Sequence, residues 1–134
     1  MKYIADLERI DGYVYLASAY SDPVYTMQIL RYEIAKRAQS LLHDSGFVTY
    51  SPIVHWHPVA ETYNLEKDSF TWSYHNLTML HGADEVWVLM FPGWQDSKGI
   101  AMELEWAKNK EKPVRFIYFN DAQDTLLVLD DEKV

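Results

Sequence analysis

The chain has 134 residues, a net charge of −8 and no cysteine. That length gives one domain with room for a sizeable core, and the missing cysteines exclude disulfides and thiolate metal sites. The acidic balance argues against a nucleic-acid polymer as partner, since a phosphate backbone needs a basic face, and no apolar run is long enough to span a membrane.

Residues 1–12 are polar and irregular and read as a lead-in or a short first helix. They lack a basic segment followed by an apolar one, so no secretory signal is visible and a cytoplasmic protein is expected. Residues 13–19 read as a strand bounded by Gly12. They run into the hydroxyl-rich Tyr20-Ser21-Asp22-Pro23, with Pro23 placed to start a helix. Residues 25–45 carry Ile29, Leu30, Ile34, Ala38, Leu41 and Leu42 at helical spacing, and Gly46 supplies the stop. Residues 47–51 read as a second strand that Pro52 ends.

Residues 53–66 show no clear period and read as a long loop, a kind of segment that is often functional. The loop contains His55 and His57. Residues 68–80 return to helical spacing through Phe70, Tyr74, Leu77 and Leu80, with Asp68 as the expected cap. The apolar run 85–91 reads as a third, buried strand. After Pro92-Gly93, a third main helix follows, capped by Ser97 and buried along Ile100, Leu104 and Ala107. Lys112-Pro113 ends it. Residues 113–119 read as a fourth strand, 120–123 as a turn, 125–129 as a short fifth strand and 130–134 as a frayed tail. No repeat, low-complexity segment or domain boundary interrupts this order.

Alternating strands and helices predict a parallel sheet with helices on both faces. Right-handed crossovers leave few topologies. The expected fold is therefore a three-layer, flavodoxin-like α/β domain of about five parallel strands in the order 2-1-3-4-5.

In such sheets ligands bind past the carboxyl ends of the strands, beside the amino ends of the following helices. Glu103 sits about 60° off the Ile100–Leu104 line, at the edge of that crevice. Glu105 points about 200° away from Glu103 and should be solvated. Glu103 also suits a plain surface helix, since Glu is a good helix former. The strand, Pro-Gly, Ser, Gly arrangement before it favours a functional carboxylate.

Four pieces, in this order and spacing, resemble the nucleoside 2-deoxyribosyltransferase superfamily, in particular a small phage and bacterial branch. They are Val14-Tyr15-Leu16-Ala17-Ser18-Ala19-Tyr20-Ser21-Asp22-Pro23, then Ser51-Pro52-Ile53-Val54-His55-Trp56-His57-Pro58, then Ala83-Asp84-Glu85-Val86-Trp87-Val88-Leu89. The fourth runs from Gly93-Trp94 through Ser97, Gly99, Glu103 and Ala107 to Lys112-Pro113-Val114. The resemblance covers residues 13–119.

The resemblance implies cleavage, by hydrolysis or base exchange, of the N-glycosidic bond of a (deoxy)nucleoside or its 5′-monophosphate. Glu103 matches the family's nucleophile, and a carboxylate can attack an anomeric carbon to form a glycosyl ester. Ser18, Tyr20 and Ser21, with Ser97 and Gly99, match positions on the sugar-phosphate side. No cofactor is implied. A homodimer or higher homo-oligomer is, because relatives complete the site across an interface. One departure stands out. Asn76 occupies the place of an aspartate thought to protonate the leaving base, and an amide cannot donate that proton. His75 or another acid replaces it, or the chain is a weak enzyme or a non-catalytic nucleotide-binding module.

Other residues keep two readings. His55 and His57 suit substrate or subunit contacts, a partly buried structural place, or less readily a metal that lacks a third ligand. Trp94 suits a base-stacking wall or an apolar plug. Tyr20 suits a partner for the active carboxylate or a half-buried strand end. Arg31 and Lys98 suit a phosphate or solvated helix faces.

Overall fold

A computed structural model describes residues 2–66 and 69–129. Asp68, the tail 130–134 and the side chain of Phe70 lie outside the described residues. The strands are β1 (Lys2–Tyr3), β2 (Val14–Ala17), β3 (Thr49–Tyr50), β4 (Glu85–Leu89), β5 (Val114–Phe119) and β6 (Leu126–Val128). The helices are α1 (Tyr25–Asp44), α2 (Pro52–Tyr63), α3 (Ser69–Gly82) and α4 (Lys98–Asn109), with single 3-10 turns at Ile4–Asp6 and Trp94–Asp96.

The sheet has six strands in the order β1-β6-β5-β4-β2-β3. The expectation of five parallel strands in the order 2-1-3-4-5 is corrected here: the five segments read as strands lie side by side as β3-β2-β4-β5-β6, but a sixth strand, β1, is added at the edge and the edge is not parallel. The run β3, β2, β4, β5 is parallel. β6 pairs antiparallel with β5, and β1 pairs antiparallel with β6. The reason is local. The connection from β5 to β6 is a short turn closed by Asn120, whose side chain accepts from the backbone N–H groups of Asp124 and Thr125. So short a link can only make a hairpin, because a parallel crossover needs a dozen residues or more. The polar lead-in then supplies a strand where a helix or lead-in was expected.

β2 is buried along its whole length. Its alternate residues face opposite ways, as the pleat requires. Val14 and Leu16 pack with Trp87 and Leu89 of β4 beneath Ala38 and Leu42 of α1. Tyr15 and Ala17 pack with Val86 and Val88 beneath Leu80 of α3 and Ile100 and Ala107 of α4. The result is three layers, with α1 on one face and α3 and α4 on the other. Leu30, expected in the α1 stripe, is 43% exposed, and Ala35 takes a buried place instead.

The largest correction is at residues 53–66, where helix α2 replaces the expected loop. Ser51 accepts a hydrogen bond from the Val54 amide at 3.2 Å, and Pro52 opens the helix. Both are strong start signals. Asn64 closes it in the left-handed conformation. The buried stripe is Ile53, His57 and Ala60, at i, i+4 and i+7. A histidine in an apolar slot hides the helical period, and Pro58 within the helix argues against one.

Candidate active site

The carboxyl ends of β2 and β4 open into a cavity of about 470 Å³. Its floor is built by β2 and α4. Tyr15 shares its sheet face with Ala17 and is fully buried under α4. Glu103 lies in the second turn of α4 and is only 8% exposed, while Glu105 is exposed. Both Tyr15 and Glu103 line the cavity.

Burial penalises the Glu103 carboxylate and pushes its pKa up to about 7. The Tyr15 hydroxyl beside it pulls the other way, since a donor favours the ionised form. No acceptor meets strict hydrogen-bond geometry at that hydroxyl among the described residues. Burial and the facing carboxylate both push the Tyr15 phenol up, so it stays protonated.

The amino end of α4 forms one rim. Ser97 accepts from the Ile100 amide at 3.2 Å, as an N-cap should. A methyl placed on Gly99 would meet only the Ser97 hydroxyl, at 3.8 Å, so Gly99 faces open space. Ser97, Lys98 and Gly99 all line the cavity. The opposite rim is the loop after β2, where Ser18, Tyr20 and Ser21 contribute. The Ser18 hydroxyl is buried with no partner among the described residues. Arg31 reaches from α1 to this loop, donating to the Ser21 carbonyl at 2.8 Å and lying 3.7 Å from the Asp22 carboxylate. Gly93 has φ of +98°, and a Cβ there would fall 2.7 Å from an Arg31 guanidinium nitrogen.

The third side is built by α2 and α3. Pro52, Ile53, Trp72, Leu77 and Leu80 make it largely apolar, and Asn76 is set among them. The Tyr50 hydroxyl donates to the Asn76 side-chain oxygen at 3.3 Å.

The structure thus brings Glu103, Asn76, Tyr20, Ser18, Ser21, Ser97 and Gly99 to one cavity. His55, His57 and Trp94 do not line it. Tyr20 contributes its ring, but its hydroxyl meets His57 Nδ1 at 2.5 Å, not Glu103. Tyr15, not Tyr20, adjoins the carboxylate. His57 is buried, stacks on Tyr32 and places Nε2 3.5 Å from Glu61. His55 is exposed and stacks on His75, with ring centres 5.0 Å apart. Trp94 packs against Phe116. Asp84 lies at the far end of the sheet, beside Gly12. Among the described residues no three metal-ligating side chains stand together, and no helix is long and apolar enough to cross a membrane.

Sequence reasoning missed Tyr15, Trp72 and Asp96 as lining residues. The alternation along β2 carried the signal for Tyr15: a residue two before Ala17 must share its face.

The chain belongs to the DUF1937 family, described as a domain of unknown function, whose model matches residues 12–119. That span includes every residue lining the cavity and leaves out β1 and β6. No curated protein matches the chain.

Proposed function

We propose that this DUF1937 domain cleaves the N-glycosidic bond of a (deoxy)nucleoside or its 5′-monophosphate, with Glu103 as nucleophile. One observation carries the reading: among the described residues Glu103 is the buried carboxyl that lines a cavity of about 470 Å³, with a protonated tyrosine beside it. That volume lies in the range of small-ligand pockets, about 300–1,000 Å³. A carboxylate poised to ionise near neutral pH is what a covalent route through an oxocarbenium-like transition state uses. Glu103 attacks the anomeric carbon, the base leaves with the bonding electrons, and water then hydrolyses the ester. Tyr15 holds the attacking carboxylate. The Ser21 and Ser97–Gly99 rims hold the sugar or its phosphate, helped by the amino end of α4.

Liquid chromatography of nucleosides and 5′-monophosphates incubated with the protein should show free base. Glu103→Ala should abolish it. Release at the wild-type rate by that variant would remove Glu103 from the chemistry.

Asn76 supports a second reading, a nucleotide-binding module without turnover, because its amide supplies no proton. Nucleotide-induced thermal stabilisation with no base released would favour that reading. The proposal includes a homodimer. Tyr74 and Leu77 of α3 are 86% and 38% exposed one turn apart, and Leu77 also lines the cavity. A monomer by light scattering would remove that part.

A further inference from the structure

The largely apolar side of the cavity carries the Asn76 amide. The Tyr50 hydroxyl donates to the Asn76 side-chain oxygen at 3.3 Å. Tyr50 does not line the cavity, so this bond turns the amide oxygen toward Tyr50 and leaves the NH2 group as the donor that Asn76 can offer the cavity. Around it stand Pro52, Ile53, Trp72, Leu77 and Leu80. None of those five side chains offers an acceptor, although Ser73, one turn before Asn76 on α3, also lines the cavity and carries a hydroxyl.

We infer that Asn76 selects nucleobases carrying a ring-keto oxygen, a 6-oxopurine or a 4-oxopyrimidine, over their amino counterparts. The inference rests on the cleavage reading above for its substrate class. A keto oxygen accepts from the amide. An exocyclic amino group at the same place brings a donor against the amide's donor and loses that bond. Sites that hydrogen-bond one group reject the analogue that cannot pair, because buried polar atoms are then left unsatisfied.

The same arrangement answers the missing acid. As the C1′–N bond breaks, its electron pair moves to the ring nitrogen of the base. In an oxo base that charge spreads onto the keto oxygen, where the amide N–H stabilises it without transferring a proton. Glu103 forms the ester bond. Water then attacks the ester, the sugar leaves with the hydroxyl, and the remaining proton goes to the base anion. Glu103 ends as it began, and no protein acid is consumed.

The test uses pairs differing at one exocyclic position: dIMP with dAMP, and dUMP with dCMP. Binding to the full-length Glu103→Gln protein, by calorimetry, reads recognition without turnover; kcat/KM in wild type reads it with turnover. The oxo member of each pair should bind at least about tenfold tighter. Asn76→Ala should bring the ratio close to one, and Tyr50→Phe should shrink it by freeing the amide to turn. Asn76→Asp, nearly isosteric and an acceptor when ionised, should shift preference toward the amino member. It also carries the test if the alanine variant fails to fold. Equal binding of both members, or a preference that survives Asn76→Ala, overturns the inference. If Glu103→Gln discriminates while wild type releases no base, the cleavage reading falls and the recognition stands. If no member of either pair binds, both fall.

Discussion

The cavity's floor and its apolar wall are built in opposite ways. The floor is regular structure: a fully buried strand, a serine-capped helix, and one carboxyl placed by helical geometry. The wall is a set of apolar side chains backed by polar groups pinned to one another. Tyr20 meets His57, His57 meets Glu61, and Tyr50 meets Asn76. Backbone geometry therefore places the proposed nucleophile on the floor, whereas side-chain contacts place the proposed recognition group on the wall. Substitutions on the floor should change rate, and substitutions on the wall should change shape and choice.

Removing the floor's carboxyl is the sharpest way to break that contrast. Glu103→Ala should lower base release at least about a thousandfold, as loss of a nucleophile does. Wall variants such as Asn76→Ala should change the ratio between substrates far more than the rate on the best one. If Asn76→Ala costs as much rate as Glu103→Ala on every substrate, the division between floor and wall is wrong. Rate should also depend on pH. Only the ionised carboxylate attacks, so base release should rise with pH through about 7 and level off above it.

Stability should follow the opposite course. Burial raises the Glu103 pKa from an ordinary 4.5 to about 7. Between those values the folded protein holds a proton that the unfolded chain has released. The stabilisation is full below about pH 4.5 and is lost as pH rises through 7, on the order of 3 kcal/mol for this one group. Glu103→Gln, with no proton to lose, should therefore gain stability over wild type at pH 8 and show little gain at pH 4.5. Urea unfolding of both proteins at the two pH values reads the difference directly. A constant difference across that range would mean the carboxyl is better solvated than its 8% exposure indicates.

The same contrast explains what was legible in the sequence. Glu103, Ser97 and the strands β2 and β4 announce themselves by period, cap and apolar run. Tyr15 follows from the strand's alternation once the strand is placed. The wall does not announce itself. In α2 the stripe Ile53, His57, Ala60 carries a histidine where a leucine would normally signal the helix, and Pro58 contradicts it outright. That histidine is tolerated in the core because Tyr20 and Glu61 meet its ring nitrogens, contacts between residues 37 apart and between helix neighbours that no local pattern reveals. The antiparallel edge was hidden for a different reason. Strands of two and three residues, β1 and β6, are too short to carry a period.

Tyr20→Phe tests whether the Tyr20–His57 contact holds α2 in place. It keeps the ring against Trp72 and removes only the hydroxyl that meets His57. Losing a buried side-chain hydrogen bond should cost about 1–2 kcal/mol. Nucleotide binding should weaken with it, because Tyr20 and Ile53 line the cavity from the two elements that this contact joins. An unfolding midpoint equal to wild type would show that apolar packing alone seats the helix.

The smallest effects come from two matched caps. Ser51 opens α2 and Ser97 opens α4, and each accepts from the third amide of its helix at 3.2 Å. Either serine to alanine should cost about 1 kcal/mol of stability, since the lost bond is the same. Their functional consequences should differ. Ser97 lines the cavity and Ser51 does not. Ser97→Ala should therefore raise KM for a monophosphate beyond what its stability loss explains, while Ser51→Ala should leave KM within about twofold of wild type in the folded protein, a difference of about 0.4 kcal/mol. Because the two variants are matched in local energetics, any difference in KM belongs to the ligand and not to the helix.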